Sequence, residues 1–227
     1  MEKSHIFLDF YKGNSRKIII IIFLNIFTFF SSFAQEDIKD TIWFLNGERL
    51  ISSRYMVLVE DGMLTYYNKH DKRKQVGLEY VFSIVDSKNK EKIYFEPATI
   101  DKTFYTVEQM RSFVKGEFSA RNEYKPSFAL ASGLIIGAGA VYAVPTLLNL
   151  NVFFSPLVPA ANTAIVGNFN IKDSKIIKKY PAMTDDSYFI AGYKEVATQK
   201  RINNSMKGGL IGLGLGIISA IVINKSK

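Results

Sequence analysis

The stretch Gly208-Gly209-Leu210-Ile211-Gly212-Leu213-Gly214-Leu215-Gly216-Ile217-Ile218-Ser219-Ala220-Ile221-Val222-Ile223-Asn224 carries no charged side chain. Gly208, Gly212 and Gly216 recur every fourth residue, so a helix gathers them on one smooth face while leucine, isoleucine and valine cover the rest. In water this much glycine costs roughly 1 kcal/mol per position relative to alanine. In lipid the helical hydrogen bonds have no aqueous competitor, and small residues let a second helix approach closely. The stretch therefore reads as a transmembrane helix at 207–224.

A second stretch, Ser127 to Leu148, repeats the device with Gly133 and Gly137 among Ala129, Ser132 and Ala140. It predicts a first transmembrane helix at 127–148. The five glycines 133, 137, 208, 212 and 216 are the expected helix-packing positions. The uncharged run continues to Ile171, longer than the roughly 20 residues that one span needs. Pro156, Pro159, Asn162, Asn168 and Asn170 favour an interfacial or re-entrant segment there, and a further span is the alternative.

The rest of the chain sorts around these segments. Lys12, Arg16 and Lys17 precede an apolar run, Ile18 to Phe30, and then Ser32-Phe33-Ala34. That is the order of a secretory signal peptide over 1–34, with an uncleaved anchor as the alternative. Its removal lowers the net charge from +8 to +6, since it holds four basic and two acidic side chains. A basic chain with two apparent spans points to anionic lipid as partner, and nucleic acid is not expected. The absence of cysteine excludes disulfides, thiol catalysis and thiolate metal sites. Only His70 lies beyond the leader, which leaves no multi-histidine metal site. No paired carboxylates or nucleophile motif appears, so no cofactor, metal or catalytic residue is expected. Gly212 to Gly216 lacks the strand and lysine context of a phosphate-binding loop.

Residues 35–125 change character. Short runs rich in β-branched and aromatic residues, 41–45, 55–59, 63–67, 75–85 and 92–95, are separated by Asn46-Gly47, Asp61-Gly62 and Ser87 to Lys90. Asn-Gly and Asp-Gly suit tight hairpin turns. The expectation is an α+β membrane protein. Its exported β-rich domain has about five antiparallel strands, an SH3-like or Sm-like roll being one form, with a core of Ile42, Phe44, Val57, Val59, Leu64, Tyr66, Val81, Ile84, Ile93 and Phe95. Thr106 and Gln109 form a capping box for a helix whose stripe of Met110, Phe113, Val114 and Phe118 packs on the sheet. Pro126 ends it near Tyr124. The basic cluster Lys69, Lys72, Arg73 and Lys74 reads as a solvated hairpin tip, with contact to an anionic surface as the sharper alternative.

Between the spans, 149–183 reads as an uncharged and then basic loop, and 184–206 as an amphipathic interfacial helix opening at Thr184-Asp185-Asp186. One span would put the excess lysine and arginine of 172–207 in the cytoplasm.

The leader ending Phe33-Ala34-Gln35, the strand and turn Asp40 to Glu48, Tyr80 to Ile84, Gly116-Glu117, Ser155-Pro156 with Pro159, and Gly192-Tyr193 with Ala197 ahead of Lys200-Arg201 give the chain a plan that resembles a group of uncharacterised envelope proteins of Bacteroidota-type bacteria. The resemblance implies an envelope location and no activity. The functional expectation is a non-enzymatic protein of the bacterial inner membrane, with its β domain in the periplasm as an interaction module for an envelope protein partner. A transport or channel component assembled as a homo-oligomer through its helices is the alternative.

Overall fold

The computed structural model describes residues 39–68, 70–97 and 105–225. The leader and Lys69 lie outside them. Among the described residues seven antiparallel strands form two sheets. Strands β1 (Asp40–Phe44), β2 (Arg49–Ser52), β6 (Val81–Val85) and β7 (Glu91–Ile93) make one, in the order β2-β1-β6-β7. Strands β3 (Tyr55–Leu58), β4 (Met63–Tyr67) and β5 (Arg73–Gly77) make the other, with β4 central. Gly47 and Gly62 hold the positive φ values, 71° and 61°, that their hairpin turns require.

The five-strand expectation is corrected to seven: Arg49–Ser52, outside every expected run, pairs with β1 as β2, and one expected strand is two. The run 75–85, read as one strand, breaks into a 3-10 turn at Leu78–Tyr80, which carries the chain from one sheet to the other. Ile42, Phe44, Leu64, Val81 and Ile84 form the shared core, with Val57 and Tyr66 packed at its margin. Val59 and Ile93 are exposed instead. Phe82, beside Val81 on the same strand, is also buried, because β6 is covered on both faces.

The second cover is helix α1 (Val107–Glu123). Its capping box forms in both directions: the Gln109 amide N–H donates to Thr106 Oγ1 at 3.3 Å, and the Thr106 N–H donates to Gln109 Oε1 at 2.8 Å. Phe118 meets Trp43 edge to face at 5.1 Å, Arg121 donates to the Asn46 carbonyl, and Arg111 pairs with Glu91 at 2.7 Å. Phe113 departs from the expected stripe. It stacks on Tyr105, and its backbone meets another helix.

After Pro126 come helices α2 (Ser127–Leu147), α3 (Leu157–Asn168), α4 (Asp173–Lys179) and α5 (Ser187–Lys225). Among the described residues two helices, Ser127–Leu147 and Ser187–Ile223, are long and apolar enough to cross a membrane. A bent pair, Val152–Asn168 with Asp173–Lys179, passes the same test jointly. The stretch 149–183 is thus largely helical. Pro159 is tolerated because it falls in the first turn of α3, where its missing N–H costs no helical bond. The expected interfacial helix and second span are one continuous α5 of 39 residues, roughly 58 Å long. Asp186 Oδ1 accepts from the Phe189 N–H at 2.9 Å and so closes the start of α5.

Candidate functional site: a glycine seam and the basic pocket beside it

Each expected packing glycine lies against backbone of the same chain. A β-carbon on Gly208 would collide with the carbonyl of Leu130, one on Gly212 with that of Leu134, and one on Gly216 with that of Ala138. From the facing helix, Gly133 abuts the backbone of Ser205 and Gly209, and Gly137 that of Gly209. Four residues onward along α2 corresponds to four onward along α5, so the two helices run parallel. The seam continues above the apolar region. Gly116 of α1 lies against Phe189 and Tyr193, and Gly192 of α5 against Phe113. α5 therefore accompanies α1 and α2 in turn, one close-packed face along its length.

Helix α3 runs the other way. Gly167 faces Ile202, Asn162 and Thr163 hydrogen-bond Ser205 Oγ at 3.1 and 3.2 Å, and Pro159 lies over Gly209. Ser205 is fully buried, so these bonds satisfy a hydroxyl that would otherwise be costly in an apolar bundle. Further along, Tyr142 and Ser219 hydroxyls meet at 2.7 Å, and Ser155 Oγ donates to the Ala140 carbonyl at 3.2 Å.

Two adjacent cations tie the ends of these helices to α5. Lys200 Nζ donates to the carbonyls of Ala120, Arg121 and Tyr124 at 3.2, 2.7 and 2.6 Å, capping the negative end of α1. Arg201 donates through its guanidinium to the carbonyl of Phe169, the C-cap of α3. The start of α2 and the end of α3 therefore lie at one level. Nothing in the spacing of Lys200, Arg201 or Ser205 along the chain marks these roles.

The segment after α3 folds against α1 and the first half of α5. Ile171 and Ile176 join Ala120, Phe189, Tyr193 and Ala197 in one buried cluster. Lys179 pairs with Glu123 at 2.6 Å, the Tyr180 hydroxyl donates to the same carboxylate at 2.8 Å, and Lys194 pairs with Asp173. The two donors hold the Glu123 carboxyl below its usual range, while burial and then the Glu123 bond push the Tyr180 hydroxyl up.

Where this segment meets α1 and α5, a pocket of about 280 Å³ opens, lined among others by Tyr124, Asn170, Lys172, Lys175, Tyr193 and Arg201. Lys172 and Lys175 make no ion pair among the described residues, and Arg201 Nε is buried without an acceptor.

On α1, Glu117 is 5% exposed and its Oε2 has no hydrogen-bond partner. Burial, reinforced by Glu195 and opposed by Arg121, raises its carboxyl to about 8.

The expected surface cluster sits on the hairpin between β4 and β5. Lys72, Arg73 and Lys74 are exposed, the turn is held by Asn68 Oδ1 accepting from the N–H groups of His70 and Lys72, and Arg54 pairs with Asp71 beside it. It is not brought to the glycine seam. A search of family models, of curated proteins and of solved structures found no match to this chain.

Proposed function

We propose that the protein is a non-enzymatic integral protein of a bacterial inner membrane, which holds its β domain in the periplasm as an interaction module on a helical stem. The observation that carries this reading is the glycine seam: the small-residue faces of α2 and α5 are consumed in packing against each other. Among the described residues only Gly62, Gly139 and Gly214 face open space. A transport or channel assembly built by helix oligomerisation would need such faces turned outward, and the seam supports the anchor reading over it.

Parallel packing of α2 and α5 supports a three-passage arrangement. If α2 leaves the β-domain side, α3 returns to that side beside Ser205, and the second half of α5 leaves again. The basic segment 172–207 then lies with the β domain, and the end of α5 lies opposite. Charge alone would favour the cytoplasm for 172–207, but an exported leader and domain translocate largely regardless of local charge.

The natural lack of cysteine makes the test clean. Single cysteines replacing Lys72, Lys175 and Asn149 are probed in intact cells with a membrane-impermeant maleimide, alongside carbonate extraction. Labelling at positions 72 and 175 but not 149, in a carbonate-resistant protein, is the expected result. Carbonate release, or 72 and 175 on opposite sides, overturns the reading.

A further inference from the structure

We propose that the pocket between α4, the end of α1 and α5 binds a phosphate group, as borne by an anionic lipid headgroup. The inference rests on the three-passage reading, which sets this pocket at headgroup depth. Tyr124 lies three residues before the first residue of α2, Asn170 two residues after the last of α3, and Arg201 seven before Gly208. All three helices thus meet the apolar zone at this level.

The chemistry of the lining narrows the ligand. Lys172, Lys175 and Arg201 bring three positive charges to one cavity, and the neighbouring carboxylates are engaged elsewhere: Asp173 with Lys194, Glu123 with Lys179 and Tyr180. Clustered cations repel unless an anion joins them. Arg201 lines the same cavity, and a guanidinium offers phosphate oxygens a planar fork. Tyr124 and Tyr193, edge to face at 6.3 Å, wall the cavity with rings suited to the boundary between water and acyl chains. At about 280 Å³ the space suits one headgroup phosphate rather than a polymer backbone. A net-negative headgroup is favoured over a zwitterionic one, because the cation of the latter would face the same lysines.

The test uses the full chain, delipidated in neutral detergent, and native mass spectrometry. One arm offers phosphatidylglycerol and phosphatidylcholine in equal amounts, and a second adds inorganic phosphate in the millimolar range. The wild type is expected to retain phosphatidylglycerol about tenfold better than phosphatidylcholine. Lys172→Gln with Lys175→Gln, both exposed and unpaired among the described residues, should bring that preference close to parity. Lys72→Gln with Lys74→Gln should leave it unchanged. Phosphate that displaces the lipid from the wild type assigns the pocket to the ion itself, and lipid retention unaffected by phosphate assigns it to the headgroup; both support a phosphate site. Equal retention of the two lipids by the wild type, or an unchanged preference in the 172/175 variant, overturns it. Cysteine labelling stands apart from lipid preference, so failure of the site and failure of the topology give different results.

Discussion

Gly212 faces the carbonyl oxygen of Leu134 with no room between them for a β-carbon. One turn earlier Gly208 does the same to Leu130, so the approach of α5 to α2 is set by backbone on both sides. Gly212→Leu is expected to force the helices apart and to cost about 3 kcal/mol or more, above the usual overpacking range because backbone cannot rotate away. Gly214→Ala meets open space and should change stability by about 0.5 kcal/mol or less. Thermal unfolding of the two variants in the same detergent checks the contrast. Equal effects would remove the seam from the account of this fold.

The β module is joined to the stem at a second glycine. Gly47 combines a positive φ with a near-collision between any β-carbon and the Glu117 and Phe118 backbone region of α1. Gly62 shares the positive φ but faces open space. Gly62→Ala should therefore cost only the left-handed strain, about 1 to 2 kcal/mol. Gly47→Ala should cost clearly more, since α1 must also shift. Proteolytic susceptibility of the β domain, measured beside the melting temperature, distinguishes loosened docking from a weakened hairpin.

Glu117 makes stability depend on pH in a definite direction. Its folded carboxyl titrates near 8 and the ordinary value is 4.5, so between these pH values the folded protein holds a proton that the unfolded chain has lost. The stabilisation is complete below about 4.5, declines as pH rises toward 8, and is then flat. The slope from this one group is at most about 1.4 kcal/mol per pH unit. Glu117→Gln should flatten the decline and raise the melting temperature at pH 8. A wild-type melting temperature that rises from pH 5 to 8, and does so equally in the variant, would count against a buried neutral Glu117.

Lys200 closes the end of α1 with three hydrogen bonds to carbonyls. Lys200→Met keeps the stem of the side chain and removes the charge, with an expected cost of about 1.5 to 3 kcal/mol. Lys207→Met, where the exposed side chain makes no hydrogen bond or ion pair to another described residue, is the comparison and should be near neutral. Hydrogen exchange at Ala120 to Tyr124 reports whether the end of α1 frays in the first variant and not in the second.

Local chemistry made part of this architecture legible in the sequence. The capping box at Thr106 and Gln109, the stop before Pro126, the turns at Gly47 and Gly62 and the two apolar glycine-striped helices each depend on residues within one turn of one another. Their partners do not. Periodicity places Gly133 and Gly212 on helix faces, yet it is silent on which backbone each face meets, or that the two helices run in the same direction. The prolines at 156 and 159 and the asparagines near them look hostile to a buried helix. They are accommodated because Pro159 occupies a first turn and Asn162 finds Ser205, 43 residues away. The pocket at Lys172, Lys175 and Arg201 was hidden for the same reason, since its floor and walls come from three separated segments.

The unbroken α5 has a mechanical corollary. It contains no proline, and it passes from beside the β-bearing helix to the far end of the apolar bundle without a joint. A pull or twist applied at the β sheets would therefore be conveyed along a single hydrogen-bonded rod to the far end of the apolar helices.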